Sequence, residues 1–204
     1  MTVAVDICNS ALLRLGQESI TSLGDTTVQA RTCNAQYPKT RDKILSNDVW
    51  SFSLVRDQLT ASVATPAWGE QSIFDLPLDC VRLTDVLNPD YLRIRYAIEN
   101  RKILTKDEET LYIRYVSNTA AEANYDPYFN EALALMLASD MCYKFTNSTS
   151  LSQSLKAEAE LVTAKAMSKN AQEFGPEEWG FDTFTNARRI GVSDVGGNDF
   201  YIGE

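Results

Sequence analysis

Apolar residues recur at two different periods along the chain, and the change of period divides it. Between Val3 and Leu15, Val5, Cys8, Leu12 and Leu15 return every three or four positions, which predicts a helix closed by Gly16. A second helix is expected from near Thr27 through Cys33, Tyr37, Arg41, Ile44 and Leu45. Thr26 and Gln29 are spaced as a capping box, in which hydroxyl and amide satisfy each other's backbone donors. Pro38 lies inside this stretch, and a residue without an N–H that clashes with the preceding turn predicts a kink or restart.

From Trp50 to about Val116 the period shortens to two. Trp50, Phe52 and Leu54 alternate, as do Leu92, Ile94, Tyr96 and Ile98 around Arg93 and Arg95, and then Leu111, Ile113 and Tyr115. Such alternation predicts half-buried antiparallel strands. Asn88-Pro89-Asp90 and Glu99-Asn100-Arg101 read as turns, and Ala61 to Gln71, with Pro66 and Gly69, as a loop. Helical spacing returns at Asp126-Pro127, an N-cap followed by proline at the first helical position. The body that follows, EALALMLASDMCYKF, is apolar on most sides and predicts a central core helix. A fourth helix is expected from near Ser150, where Ser150 and Gln153 are again spaced as a capping box. Leu151, Leu155, Ala159, Val162 and Ala166 form its stripe, and Gly175-Pro176 ends it. Beyond Pro176 no period survives. Trp179, Phe181, Phe184, Phe200 and Tyr201 stand as isolated aromatics in an extended tail.

These elements predict an α+β fold: an antiparallel four-helix bundle with an inserted antiparallel β-sheet and an extended C-terminal tail. The boundaries fall at 1–49 for the first two helices, 50–118 for the β insertion, 119–175 for the last two helices and 176–204 for the tail.

Composition narrows the chemistry. The chain has 204 residues and no histidine, so Ser-His-Asp, Cys-His and His-based zinc chemistry are excluded and carboxylate-only chemistry survives. Cys8, Cys33, Cys80 and Cys142 are far apart, form no CxxC pair and sit among apolar neighbours, which suits buried hydrophobes. A net charge of −9 argues against a DNA-reading module, because acidic chains repel phosphate. The residues from Glu173 onward carry −5 of that charge. No apolar run is long enough to span a membrane, and MTVAVDICNS lacks a basic segment followed by an apolar one, so synthesis and folding in a cytosol are expected.

Four constellations carry candidate roles. Arg41-Asp42 and Arg56-Asp57 suit either a salt-bridge lattice between subunits or local pairing within one chain. Asp75, Asp79 and Asp85 surround Leu76-Pro77. They read as turn and surface residues, with a carboxylate pair for glycan hydrolysis as the alternative. Asn147-Ser148-Thr149 fits a glycosylation acceptor and is expected in the loop between the third and fourth helices, while Gly196-Gly197 lacks the Lys-Ser or Lys-Thr of a phosphate loop. The tail aromatics, flanked by charges, suit pockets on a partner or on the chain's own domain. No catalytic, cofactor-binding or metal-binding residue is assigned.

The order of these features resembles the tail tubular protein A family, the adaptors between portal and tail nozzle in short-tailed bacteriophages. The resemblance spans roughly residues 3 to 170. It begins with ALLRLGQ (Ala11 to Gln17), Ile20 and Leu23, and continues through Cys33, Tyr37, Arg41, Asp42, Trp50, Phe52, Arg56 and Leu59. Then come Leu76-Pro77, Cys80-Val-Arg82 and Ile113-Arg-Tyr115, and last Pro127, Phe129 and Ala132-Leu133-Ala134. It implies a structural virion protein and no enzyme. Such a protein forms a homo-oligomeric ring, typically a dodecamer, that binds the portal protein and the tail nozzle protein. It encircles double-stranded DNA passing without specific binding, at the head-tail junction after assembly in the host cytoplasm. Portal docking would fall to Trp179, Phe181, Phe184, Arg188, Arg189, Phe200 and Tyr201, and subunit contact to Arg41, Asp42, Arg56 and Asp57. A tail-associated cell-wall hydrolase and a neck protein of a long-tailed phage remain the alternatives.

Overall fold

The first helix, α1, runs Val3–Arg14 and ends as its glycine requires. Gly16 has φ +66, a left-handed conformation free of Cβ strain only in glycine. Its N–H donates to the Leu13 carbonyl at 3.1 Å and Gln17 N–H to the Leu12 carbonyl at 3.0 Å, the paired bonds of a Schellman stop. In this computed structural model the described residues are 3–64, 72–106 and 108–174. The chain divides into two compact units, Met1–Glu173 and Phe174–Glu204.

Helix α2 spans Val28–Asn47. Its N-cap is Thr27, whose hydroxyl accepts the Ala30 N–H at 3.2 Å, one position later than the capping box expected at Thr26. Gln29 turns away and reaches Gln17. The helix passes through Pro38 without a restart. Pro38 and Asn34 both lie on the exposed face, so water can serve the Asn34 carbonyl that proline leaves without a donor.

Six strands follow: β1 (Leu54–Thr60), β2 (Ser72–Asp75), β3 (Cys80–Leu87), β4 (Ala97–Glu99), β5 (Lys102–Thr105) and β6 (Thr110–Ser117). Then come α3 (Pro127–Thr146) and α4 (Thr149–Glu173). Asp126 caps α3 by accepting the Tyr128 N–H at 2.7 Å, with Pro127 behind it. Asn147, left-handed at φ 53, and Ser148 alone join α3 to α4, and the Ser148 hydroxyl accepts the Leu151 N–H at 3.2 Å. The cap is therefore Ser148 and not Ser150.

A four-helix bundle around one inserted sheet does not describe this fold. In a bundle each helix flanks two others around a shared axis. Here α3 is the hub: α1, α2 and α4 all pack on it, while α4 rests chiefly on α3. The cause is α3 itself, buried on nearly every side from Phe129 to Cys142, so it is surrounded rather than set at a corner. Helix α4 buries Leu155, Ala159, Thr163, Ala166 and Asn170, a stripe whose alanines allow close approach and whose Asn170 bonds Val49 and Ser51 beyond α2. The expected Leu151 is exposed and Val162 only half-buried.

The β region likewise forms two separate three-stranded antiparallel sheets, ordered β1-β6-β3 and β2-β5-β4. The chain leaves β2 at the Leu76-Pro77 corner, where Cys80 N–H closes on the Pro77 carbonyl at 3.1 Å, and re-enters as β3 beside β6. Two expected strands are otherwise. Trp50 caps a 3₁₀ turn at Ser51–Ser53, held by Phe129 against its ring and by its indole N–H on the Ile44 carbonyl. Residues 92–96 alternate without pairing, apart from one bridge from Arg93 to Leu87. The Asn88 side chain accepts the Asp90 and Leu92 N–H groups and holds that stretch as a turn. The turn expected at Glu99-Asn100-Arg101 is present, with Asn100 and Arg101 both at positive φ between β4 and β5.

Two apolar clusters result. The larger gathers the four helices with Trp50 and Val116. The smaller gathers Phe74, Cys80, Val86, Ile103, Leu111, Ile113 and Tyr115. All four cysteines are buried and unbridged. The neighbouring Cys33 thiol, together with burial, holds Cys8 well above the usual thiol range.

Candidate functional site

Strand alternation gives the β1-β6-β3 sheet two unlike faces. Leu111, Ile113 and Tyr115 of β6 point into the smaller cluster, so Tyr112, Arg114 and Val116 point the other way. The register places Leu54 opposite Val116, Arg56 opposite Arg114 and Gln58 opposite Tyr112, with Asp85 and Leu87 of β3 on the far side of Arg114 and Tyr112. At the Leu54–Val116 end this face lies under the helices. Beyond it the face is open, and it forms the floor of a cleft of about 520 Å³.

The cleft has a charged row and an apolar row. Asp85 is paired twice, with Arg114 at 2.5 Å and Arg93 at 2.9 Å. Arg56 faces Arg114, a like-charged pair directly across the strands, which is unfavourable on its own. Next along lie Gln58, Tyr112 and Leu87, with Tyr91 stacked on Tyr112 at 5.1 Å. Tyr91 is 67% exposed and has φ +59, a conformation that a bulky residue adopts at a cost. The meeting of Tyr91, Tyr112 and Arg114 carried no signal in the sequence, because it depends on strand register.

The three carboxylates around Leu76-Pro77 go to different partners. Asp75 pairs with Lys102 of β5 at 3.3 Å, and Asp85 belongs to the cleft. Asp79 accepts the Ser117 hydroxyl at 2.5 Å and, at 3.3 Å, those of Tyr115 and Thr119. The Ser117 bond holds the Asp79 carboxyl below the usual range, while burial and the Asp79 charge push the Tyr115 phenol up to about 12. None of the three shares a partner with another. Asp79 thus secures the corner that feeds β3, with Asn118 N–H returning to its carbonyl at 3.1 Å.

Arg41 and Asp42 pair with each other at 2.9 Å, and Asn118 also donates to Asp42, so these charges are satisfied within the chain. Arg56 and Asp57 are exposed on β1, a sheet edge, where Asp57 accepts the Gln58 N–H at 2.8 Å. Trp179, Phe181, Phe184, Arg188, Arg189, Phe200 and Tyr201 lie outside the described residues. Among the described residues, no three or more Cys, Asp or Glu side chains meet in a way that could hold a metal ion. No helix there is long and apolar enough to cross a membrane. No protein-family model matches the chain, and comparison with curated proteins gives no match.

Proposed function

We propose that the protein is a ring-forming adaptor that joins the portal to the tail nozzle of a short-tailed bacteriophage and surrounds part of the DNA conduit. The reading rests on the ordered residues from Cys33 to Leu83 that resemble the tail tubular protein A family. What supports it is the work those residues do: they are the joints between helices and sheets. Tyr37 donates to Glu122 at 3.0 Å, and the other oxygen of that carboxylate receives Ala4 N–H at the start of α1. Arg82 donates to the Asn47 carbonyl at the end of α2, at 3.0 Å. Trp50 packs edge-on against Phe129. An adaptor transmits load between two rings, and rigid joints serve that role. Arg56 and Asp57, on an exposed edge strand, are open to a second chain. The acidic balance weakens retention of passing DNA.

The test is negative-stain electron microscopy of the full chain mixed with the portal ring of the same virus. An added ring of density under the narrow end of the portal is expected. Portals that remain unchanged would overturn the adaptor reading. A chain ending at residue 175 should keep the circular dichroism of the folded unit and bind portal more weakly. Equal binding would remove the tail from the docking role. The hydrolase alternative has a separate assay: peptidoglycan clearing that Asp75→Asn or Asp79→Asn abolishes would replace the adaptor reading.

A further inference from the structure

We propose that the open face of the β1-β6-β3 sheet is a docking cleft for an extended segment of a partner protein. The segment carries a carboxylate two residues from an aromatic side chain. The inference assigns Arg56 to a partner protein instead of to a second copy of this chain, and it does not require a ring.

Three observations converge. The charged row holds the guanidinium groups of Arg56, Arg114 and Arg93, and the carboxylates of Asp85 and Asp57 line the same cleft. Asp85 is taken up by Arg93 and Arg114, and an Asp57 oxygen accepts the Gln58 N–H. Three guanidinium groups thus line the cleft against two carboxylates, and an incoming carboxylate beside Arg56 would relieve its repulsion with Arg114. The apolar row of Tyr112 and Leu87, walled by Tyr91, lies two residues further along the strands. That offset is roughly 6.6 Å at about 3.3 Å per residue, the spacing of alternate side chains in an extended peptide. The cleft also runs along the exposed residues Arg56 to Gln58 of the edge strand, so a chain can continue past it. Tyr91 adds an independent sign: an exposed aromatic ring held over the cleft by a positive-φ backbone is the kind of strained placement found at contact sites.

Fluorescence anisotropy of the full chain with a fluorescein-labelled peptide, Gly-Thr-Asp-Thr-Phe-Thr-Gly, tests this. Saturable binding is expected. It should weaken about tenfold or more, the size of one charge-assisted hydrogen bond, when the peptide aspartate becomes asparagine or when the protein carries Arg56→Ala. Tyr91→Gly should weaken it as well while leaving the urea midpoint nearly unchanged, which separates docking from folding. No saturable binding at millimolar protein, or equal affinity for the asparagine peptide, would overturn the proposal. So would a change in sedimentation with Arg56→Ala in the absence of peptide binding, since the occupant would then be a second copy of this chain. The portal assay is unaffected by any of these results, so the two readings fail separately.

Discussion

Asp79→Asn removes a charge from the Leu-Pro corner and changes little else. The Ser117 hydroxyl that donates to Asp79 at 2.5 Å is fully buried, while the Tyr115 and Thr119 hydroxyls stand at 3.3 Å and contribute less. A hydrogen bond to a charged group contributes roughly 1.5–3 kcal/mol and a neutral one about 1 kcal/mol. The asparagine oxygen keeps the neutral bond, so the variant should lose about 0.5–2 kcal/mol near neutral pH. In a chain of this size that is roughly 1–8 °C in Tm. The pH dependence has a definite sign. The folded pKa of Asp79 is depressed, first by the Ser117 bond, so its stabilisation is present above the unfolded value of about 3.9. It is lost as pH falls through the folded pKa. Urea midpoints of wild type and variant should therefore differ near neutrality and converge only as acid takes the chain below the ordinary carboxylate range. A gap that stays constant with pH, or none near neutrality, would show that the carboxylate charge does not anchor the corner.

Phe129 is fully buried, with the rings of Trp50, Phe52 and Tyr125 each at 4.9 Å. Phe129→Ala should cost about 3–5 kcal/mol by urea denaturation, and a loss under about 2 kcal/mol would mean the cluster refills the space. Tyr91→Gly trades a strained φ and an exposed stack for glycine's greater unfolded entropy, so stability should stay within about 1 kcal/mol. A loss above about 2 kcal/mol would make Tyr91 a folding residue and remove it from the docking argument.

The helices were legible because their signals are local. Gly16, Thr27, Asp126 and the all-round apolar body of α3 act within a few residues of themselves. Caps shifted by one or two positions because Thr26 and Thr27, or Ser148 and Ser150, are equivalent in sequence and differ only in which hydroxyl meets a free N–H. Strand partition was not legible. Alternation at residues 92–96 resembles that at 111–115, yet Leu92 is exposed and Leu111 is fully buried, because pairing is decided by residues distant in sequence. The cleft was hidden for the same reason. Arg56 and Arg114 are far apart along the chain and become a like-charged pair only once β1 and β6 are in register. Among the candidate pairs, Arg41-Asp42 took the local course, since Asn118 and Arg41 both reach Asp42 from the same chain.

Strand β6 lends Leu111, Ile113 and Tyr115 to one apolar cluster and Val116 to the other, which bears on the order in which the chain acquires structure. The α3–α4 hairpin closes across two linking residues and needs no distant partner. Joining β1 to β6 instead brings together positions about fifty residues apart, and that closure is paid for in entropy before its contacts form. The helical hairpin should therefore gain amide protection first in pulse-labelled hydrogen exchange, with β6 and α1 following together. Protection of β6 ahead of α3 would reverse that order. The smaller of the two clusters, through its shared strand, thus governs how fast the larger one is completed.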